Sequence, residues 1–125
     1  MTLSGHTHVV TSLAIHDSKL YSGSQDTTIK VWSLEAGDFG REITTLSGHT
    51  DPVCALAIDQ GKLYSGSADG TIKVWSLEAG DFGREIMTLS GHTNAVFALA
   101  IYDSKLYSGS AEKYGKAGII KVWSV

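Results

Sequence analysis

Short apolar or alternating segments, separated by polar turns, run through the whole chain. Residues 53–58 form a continuous apolar run, which predicts a strand buried on both faces. Residues 63–67 alternate large and small side chains, an Asp-Gly pair follows as a hairpin turn, and residues 71–75 alternate polar and apolar positions. Residues 84–89 fit a fourth strand after a polar loop. With no segment of helical period, the pattern predicts an all-β chain of four-stranded antiparallel meanders.

The same pattern occurs three times. A Leu-Ser-Gly-His-Thr segment begins at Leu3, Leu46 and Leu89, at a spacing of 43 residues, and each copy ends on Ile-Lys-Val-Trp-Ser. A period of about 40 to 45 residues with Gly-His near its start and Trp near its end is typical of propeller blades. The sequence therefore predicts a single unit, residues 1–125, of three blades at about 3–45, 46–88 and 89–125.

These motifs resemble the WD40 family over essentially the whole chain. The Gly-His pair, the string Ser-Gly-Ser-x-Asp-Gly-Thr-Ile-Lys-Val-Trp and the spacing carry the resemblance, although the final dipeptide is Trp-Ser in all three copies. The resemblance implies a buried hydrogen-bond chain of Asp, His, Ser and Trp in each blade, whose donors and acceptors match. By motif its members are His6, Ser22, Asp26 and Trp32; His49, Ser65, Asp69 and Trp75; and His92, Ser108 and Trp123. In the third blade a longer turn, residues 111–118, leaves Glu112 as the candidate for the Asp position.

The motifs that resemble catalytic sites do not indicate an enzyme. The Ser-His-Asp sets lack an oxyanion-hole motif or a nucleophile elbow, and the two Asp-Phe-Gly copies lack the other kinase signatures, so we expect their Phe to pack the turn. His6 and His8 have no further ligand at metal spacing, and Cys54 lies in an apolar run as a small hydrophobe. We expect no catalytic residue, no metal and no cofactor.

Composition and charge exclude some classes of binding partner. The net charge is −3 and 42% of the residues are hydrophobic, which gives no basic field for nucleic acid. Neither a membrane-length apolar run nor a signal-peptide pattern is present, so the sequence predicts no membrane partner and a cytoplasmic location.

Three blades are too few for a closed ring, which typically has about 4 to 8. Met1, Thr2 and Leu3 align with the end of an outer strand, whereas the last blade reaches Val125 without an outer strand of its own. The N-terminus of one subunit is thus expected to complete the last blade of its neighbour. Such a head-to-tail contact closes as a homotrimer of nine blades or a homodimer of six. The trimer is favoured because six blades crowd the inner strands.

Differences between the copies indicate a candidate interaction face for protein or peptide ligands. They cluster after Gly-His and at the Asp turn, which the resemblance places around the mouth of the channel; the candidates are His8, Asp51, Asn94, Phe97, Gln25, Lys113, Tyr114 and Lys116. Neutral variation of exposed loops explains the same pattern. The main reading is a non-catalytic, self-assembling scaffold. The alternatives are a fragment or engineered building block of a larger propeller, whose only activity is self-assembly, and a propeller that binds a small ligand or glycan.

Overall fold

The computed structural model describes residues 1–111 and 117–125, and these form three antiparallel sheets. The first sheet contains β1 (Val10–His16), β2 (Lys19–Ser24), β3 (Ile29–Ser33) and β4 (Glu42–Leu46). The second contains β5 (Val53–Asp59), β6 (Lys62–Ser67), β7 (Thr71–Ser76) and β8 (Glu85–Ser90). The third contains β9 (Val96–Tyr102), β10 (Lys105–Ala111) and β11 (Gly118–Ser124), and β11 is its edge strand among the described residues. The predicted all-β antiparallel class is confirmed.

Each sheet is a meander in the order of the sequence, and the register repeats from copy to copy. Tyr21 lies opposite Val31, Tyr64 opposite Val74 and Tyr107 opposite Val122. The turns that join the first two strands of each sheet have two residues with positive φ, for example Gln60 at 48° and Gly61 at 74°. Positive φ at both central residues is the turn geometry that matches the twist of paired strands.

The second turn of each complete sheet needs a left-handed residue, and the two copies supply it differently. Gly70 has φ of 84° in the second sheet, as the predicted Asp-Gly turn requires. Thr27 takes the corresponding place in the first sheet with φ of 76°. A β-branched residue is strained there, so the first copy carries a local cost that the second avoids.

Neighbouring sheets pack face to face, and two apolar clusters lie between them. Buried residues of the first cluster come from both sheets: Tyr21, Ile29, Val31 and Leu46 from the first, and Val53, Leu63 and Trp75 from the second. The second cluster joins Tyr64, Ile72 and Val74 to Val96 and Leu106 of the third sheet. Each inner sheet surface is therefore covered by the next copy of the repeat.

The two outer surfaces of this stack are not covered. Leu13 and Ile15 of β1 are 62% and 69% exposed, and Ile120 of β11 is 75% exposed. The apolar run predicts burial on both faces, and this expectation is wrong for β1, whose outer face no described sheet covers. Its counterparts Leu56 and Ile58 are partly buried and pack against the first sheet.

A search of the described residues for long, apolar helices finds none that could span a membrane.

Candidate functional site

A chain of hydrogen bonds crosses the first sheet from its turn to its third strand. His6 Nδ1 lies 2.7 Å from Asp26 Oδ2, and His6 Nε2 lies 2.7 Å from Ser22 Oγ. Ser22 Oγ also accepts the indole N–H of Trp32 at 2.9 Å. The loop before β1, the turn and two strands are thus tied together by four side chains.

The second sheet repeats this arrangement almost atom for atom. His49 Nδ1 lies 3.0 Å from Asp69, and His49 Nε2 lies 2.7 Å from Ser65 Oγ. Trp75 donates to the same hydroxyl at 2.8 Å. Both the His49 imidazole and the Ser65 side chain are buried.

The geometry fixes the protonation state of His49. Burial lowers the pKa of His49, against the opposing effect of the hydrogen bond and charge of Asp69, so the imidazole is neutral in the folded chain. A neutral ring donates from Nδ1 to Asp69 and accepts at Nε2 from the Ser65 hydroxyl, whose oxygen accepts a hydrogen bond from the indole N–H of Trp75. The His49–Asp69 contact is therefore a hydrogen bond to a carboxylate rather than an ion pair.

The carboxylate at the turn is held ionised. Burial alone would raise the pKa of Asp69, but hydrogen bonds from the Thr71 hydroxyl, from His49 and from the Thr71 amide lower it to about 2. The amide of Thr50 also points at this carboxylate, at 3.3 Å. In the first sheet the pKa of Asp26 is likewise lowered: the hydrogen bonds of Thr28, His6 and Thr7 outweigh its burial.

The third sheet contains the same His-Ser-Trp segment. His92 Nε2 lies 2.7 Å from Ser108 Oγ, which accepts from Trp123 at 2.8 Å. Burial, followed by the charge of Lys121, lowers the pKa of His92. Glu112, the candidate for the Asp position, lies outside the described residues.

This arrangement is unlike a hydrolase triad. The Ser65 hydroxyl is fully buried in a strand, donates to His49 and accepts from Trp75. A nucleophile needs an exposed oxygen beside an oxyanion site. The chemistry that the network supports is positional: it locks the turn, the loop and two strands in one arrangement.

The structure brings several residues of the predicted interaction face to one place in each repeat. The carbonyl groups of His8, Asp51 and Asn94 each accept a hydrogen bond from the equivalent serine near the end of the second strand of their sheet. The side chain of Asn94 also donates to the Ala111 carbonyl at 3.3 Å. The side chains of His8 and Asp51 are exposed, and Phe97 is exposed on β9.

The other predicted face residues divide into two groups. The backbone amide of Gln25 donates to the Val9 carbonyl at 2.9 Å, which brings Gln25 next to the segment that contains His8, and the Gln25 side chain is exposed. Lys113, Tyr114 and Lys116 lie outside the described residues. Among the described residues, no three His, Cys, Asp or Glu side chains lie together as a metal site would need.

The predicted closure residues lie at two different places. A β-carbon built on Gly40 would stand 2.9 Å from Leu3 Cδ2 and 2.7 Å from Met1 Cε, so the N-terminal segment packs on the first sheet. Thr2 lies between them in the chain and is exposed. Val125 bonds to the Ser104 carbonyl of its own sheet and faces the second sheet.

One contact between sheets was not predicted from the sequence. Phe82 of the second Asp-Phe-Gly copy packs on the cluster between the first two sheets, and Lys19 Nζ lies 5.6 Å from its ring centroid. The expectation that this Phe packs its own turn is wrong, because the loop folds towards the preceding sheet. The recurrence of Leu34 with Phe39 and of Leu77 with Phe82, at the same spacing, is the signal that could have indicated a repeated packing role.

Comparisons with known proteins agree with this architecture. The family model described as "WD domain, G-beta repeat" matches residues 1–33, 40–76 and 83–124. Two solved structures, described as "Structure of U3-55K" and "Crystal structure of RRP9 WD40 repeats", each match 98% of this chain with 30% sequence identity and a TM-score of 0.81. The match covers 36% of each solved chain, so this chain spans about a third of their length. Because the family model covers all three sheets, the chain belongs to the WD40 repeat family.

Proposed function

We propose that this chain is a non-catalytic WD40 module that assembles head to tail into a closed propeller, as a homotrimer in preference to a homodimer. The observation that carries the proposal concerns the two outer surfaces of the chain. One has the residues of the first side of the interface between neighbouring sheets, and the other has the residues of the second side. A second copy of the chain is therefore the occupant that fits each of them.

The outer surface of the first sheet is one half of that interface. Leu56 and Ile58 of β5 pack on the cluster between the first and second sheets, and Leu99 and Ile101 of β9 pack on the cluster between the second and third. Their counterparts Leu13 and Ile15 are exposed. Burying two such side chains is worth about 1.5 to 3 kcal/mol each.

The outer surface of the third sheet is the other half. Ile29 and Val31, like Ile72 and Val74, are buried under the sheet that follows them. Their counterparts Ile120 and Val122 are exposed at the edge strand β11. An exposed, apolar edge strand is a template for pairing with another chain.

The N-terminal segment supports a strand contact across the same interface. Leu3 lies against Gly40 as Leu46 lies against Gly83, so it takes the position of an outer-strand residue relative to the sheet that follows. Leu46 pairs with Ile29, and Leu89 pairs with Ile72. In the assembled ring, Leu3 of one copy would therefore pair with Ile120 of the next, and Thr2 with Lys121.

This pairing suits the side chains as well as the backbone. Lys30 and Lys73 each donate to a threonine hydroxyl of the outer strand, at 2.9 and 3.0 Å. Thr2 is the counterpart of both threonines, Thr45 and Thr88. Lys121 would thus keep this hydrogen bond in the assembled ring.

The contact joins two different surfaces, so it is heterologous and repeats until the ring closes. Three chains give nine blades and two give six. We favour three because a six-blade ring crowds the inner strands β1, β5 and β9 around the channel, where Phe97 projects from β9.

The mass of the purified chain in solution tests the proposal. Light scattering should give three times the 13.3 kDa chain mass. A mass of one chain at micromolar concentration would contradict assembly, and a mass of two chains would contradict the trimer.

A glycine on the third sheet provides a sharper variant. A β-carbon at Gly66 would stand 2.7 Å from Val96 Cγ1 of the next sheet, whereas one at Gly109 would meet only Ala98 Cβ at 3.6 Å. In the assembled ring Val10 of a second copy would occupy the place of Val96. Gly109→Ala should therefore weaken assembly while the circular dichroism spectrum stays that of the parent. An unchanged mass at every concentration would count against this interface.

We also propose that the ring offers the face around His8, Gln25, Asp51, Asn94 and Phe97 to proteins or peptides. Its support is that the backbone carbonyls of His8, Asp51 and Asn94 accept hydrogen bonds from equivalent serines of the three sheets, and that the Gln25 amide donates to the carbonyl next to His8. Phe97→Ser should abolish retention of a specific protein from source lysate while the oligomer mass is unchanged. Retention equal to the parent would favour neutral variation at this face.

A further inference from the structure

The only proline of the chain follows an aspartate, in the loop that leads from the first sheet to β5. The Asp51 side chain is exposed, and Pro52 is partly exposed. Only this repeat joins a carboxyl side chain to the tertiary amide that precedes a proline. The corresponding pairs in the other two repeats are His8-Val9 and Asn94-Ala95.

An Asp-Pro bond has its nucleophile in the same residue. A carboxylate oxygen of the aspartate reaches the backbone carbonyl carbon of that aspartate and closes a small ring, and attack within one molecule has a large advantage over attack by free water. The proline nitrogen carries two alkyl substituents, so it takes up a proton more readily than a secondary amide nitrogen and leaves as an amine. The exposed loop before β5 therefore contains a peptide bond of unusual reactivity.

The structure places a hydroxyl beside the carbonyl of this bond. Ser67 is fully buried, and its Oγ lies 3.1 Å from the Asp51 carbonyl oxygen and 2.9 Å from that of Pro52. The Pro52 carbonyl also accepts from the Ala68 amide at 2.9 Å, so it keeps a partner when the Ser67 hydroxyl donates to Asp51. The Asp69 amide donates to Ser67 Oγ at 3.1 Å, which strengthens the hydroxyl as a donor.

The backbone on both sides of the bond is fixed to the same turn. Before it, the Thr50 amide donates to the Asp69 carboxylate at 3.3 Å. After it, the Pro52 carbonyl accepts from Ala68, and Val53 is fully buried. The Asp51 carbonyl is thus held towards a donor that is already in place, which is the arrangement that stabilises negative charge developing on a carbonyl oxygen.

We propose that the Asp51–Pro52 bond is a self-cleavage site, with the Asp51 carboxylate as nucleophile and the Ser67 hydroxyl as the donor to the oxyanion. The carboxylate oxygen bonds to the Asp51 carbonyl carbon, the bond from that carbon to the Pro52 nitrogen breaks, and the nitrogen takes a proton from solvent. Water then opens the cyclic anhydride, which leaves Asp51 as a new C-terminus. Each molecule is cut once, without turnover, and the proposal does not depend on how the ring closes.

The cut divides the chain between β4 and β5. Residues 1–51 contain the first sheet, and residues 52–125 contain the second and third. The apolar cluster between the first two sheets does not include the cleaved loop, so the two fragments should stay associated until the protein is denatured.

Incubation of the full chain in mildly acidic buffer tests the proposal, because the leaving nitrogen needs a proton. In buffer where the circular dichroism spectrum stays that of the folded chain, mass spectrometry after denaturation should find residues 1–51 and 52–125, with masses that sum to the chain plus one water. Asp51→Ala and Pro52→Ala should each remove these fragments. An intact parent chain, or the same fragments from Asp51→Ala, would overturn the proposal.

A synthetic peptide with the sequence of residues 47–56 measures what the fold contributes. It contains the same Asp-Pro bond without Ser67. The folded chain should be cleaved at least about tenfold faster than the peptide in the same buffer, since only the folded chain holds the oxyanion donor in place. A peptide cleaved as fast as the chain would overturn the role of the structure.

Two serines give a matched pair of variants. Ser67→Ala should slow cleavage at least about tenfold through loss of that donor. Ser24→Ala removes the equivalent hydroxyl of the first sheet, which lies 3.4 Å from the His8 carbonyl, and should leave the cleavage rate unchanged. Equal rates in the two variants would overturn the assignment of Ser67.

Discussion

At the scale of single residues, the histidine of each repeat fixes the local structure through the hydrogen bonds of its ring. His49 is buried and neutral, and both of its ring nitrogens have partners. Removing one partner would leave a buried polar atom unsatisfied, which costs about 1 to 3 kcal/mol. The network therefore fixes one arrangement of the turn and the strands rather than merely adding stability.

The folded chain should lose stability in acid in two steps. Because burial lowers the pKa of His49 and His92, the unfolded chain binds protons more readily below its histidine pKa of about 6.5, and the free energy of unfolding falls as pH drops from 7 to 5. A second loss follows between about pH 4 and pH 2, as Asp69, with its pKa of about 2, is protonated. Urea unfolding across this range measures both steps. A free energy of unfolding that rises from pH 7 to pH 5 would contradict the assignment of neutral His49.

The left-handed turn position gives a pair of reciprocal substitutions. Thr27→Gly should stabilise the chain by about 0.5 to 1 kcal/mol, since it removes a strained β-branched residue at φ of 76°. Gly70→Thr should destabilise it by about 1 to 2 kcal/mol, because it adds that strain and a contact at 3.0 Å with the His92 carbonyl. Guanidinium unfolding at equal protein concentration compares them. Changes of the same sign would be inconsistent with turn strain as the cause.

At the scale of elements, the sheets interlock because the second strand of each has a glycine where the next sheet inserts a valine. Gly23 meets Val53 and Gly66 meets Val96, in both cases closer than a β-carbon allows. The loop of residues 77–84 adds a second contact, since Phe82 reaches the preceding sheet. The first and second sheets are thus joined both at their inner strands and at this loop.

The glycine contact predicts a large effect from a small substitution. Gly66→Ala should cost about 1 to 3 kcal/mol, because overpacking forces the second and third sheets apart. Adding Val96→Ala should recover part of that loss. Thermal and urea unfolding of the two variants measure this coupling, and strictly additive losses would argue against direct contact between Gly66 and Val96.

At the scale of the whole molecule, three stacked sheets leave two unlike surfaces uncovered. Leu13 and Ile15 form one, and Ile120 and Val122 form the other. Isologous pairing would join like surfaces, whereas the interface within the chain joins unlike ones. The proposed ring follows the second arrangement.

Mixing two variants distinguishes these arrangements. Leu13→Asp and Ile120→Asp each place a charge on one of the two apolar surfaces. Each variant alone should remain a monomer, because every head-to-tail contact would then include a charged surface. An equimolar mixture should give a species of two chains, joined by the one intact pair of surfaces. Analytical ultracentrifugation measures the masses. If either variant alone keeps the mass of the parent, head-to-tail assembly is wrong.

The sequence by itself determined the strands, the repeat and the members of the His-Ser-Trp networks, because alternation and turn residues are local signals that recur three times. It placed Asp69-Gly70 at a turn and Trp75 on the adjoining strand, as the structure has them. Identical local sequence, however, predicts identical burial. It therefore could not separate Ile72, which the third sheet covers, from Ile120, which no described sheet covers.

Only the tertiary structure decided which copies of a residue are buried and what fills the space between sheets. Phe39 and Phe82 have the same neighbours in sequence, yet one is exposed and the other packs on the preceding sheet. The physical reason is that the burial of a side chain depends on the neighbouring sheet. The residues of a repeat do not indicate whether a neighbouring sheet is present.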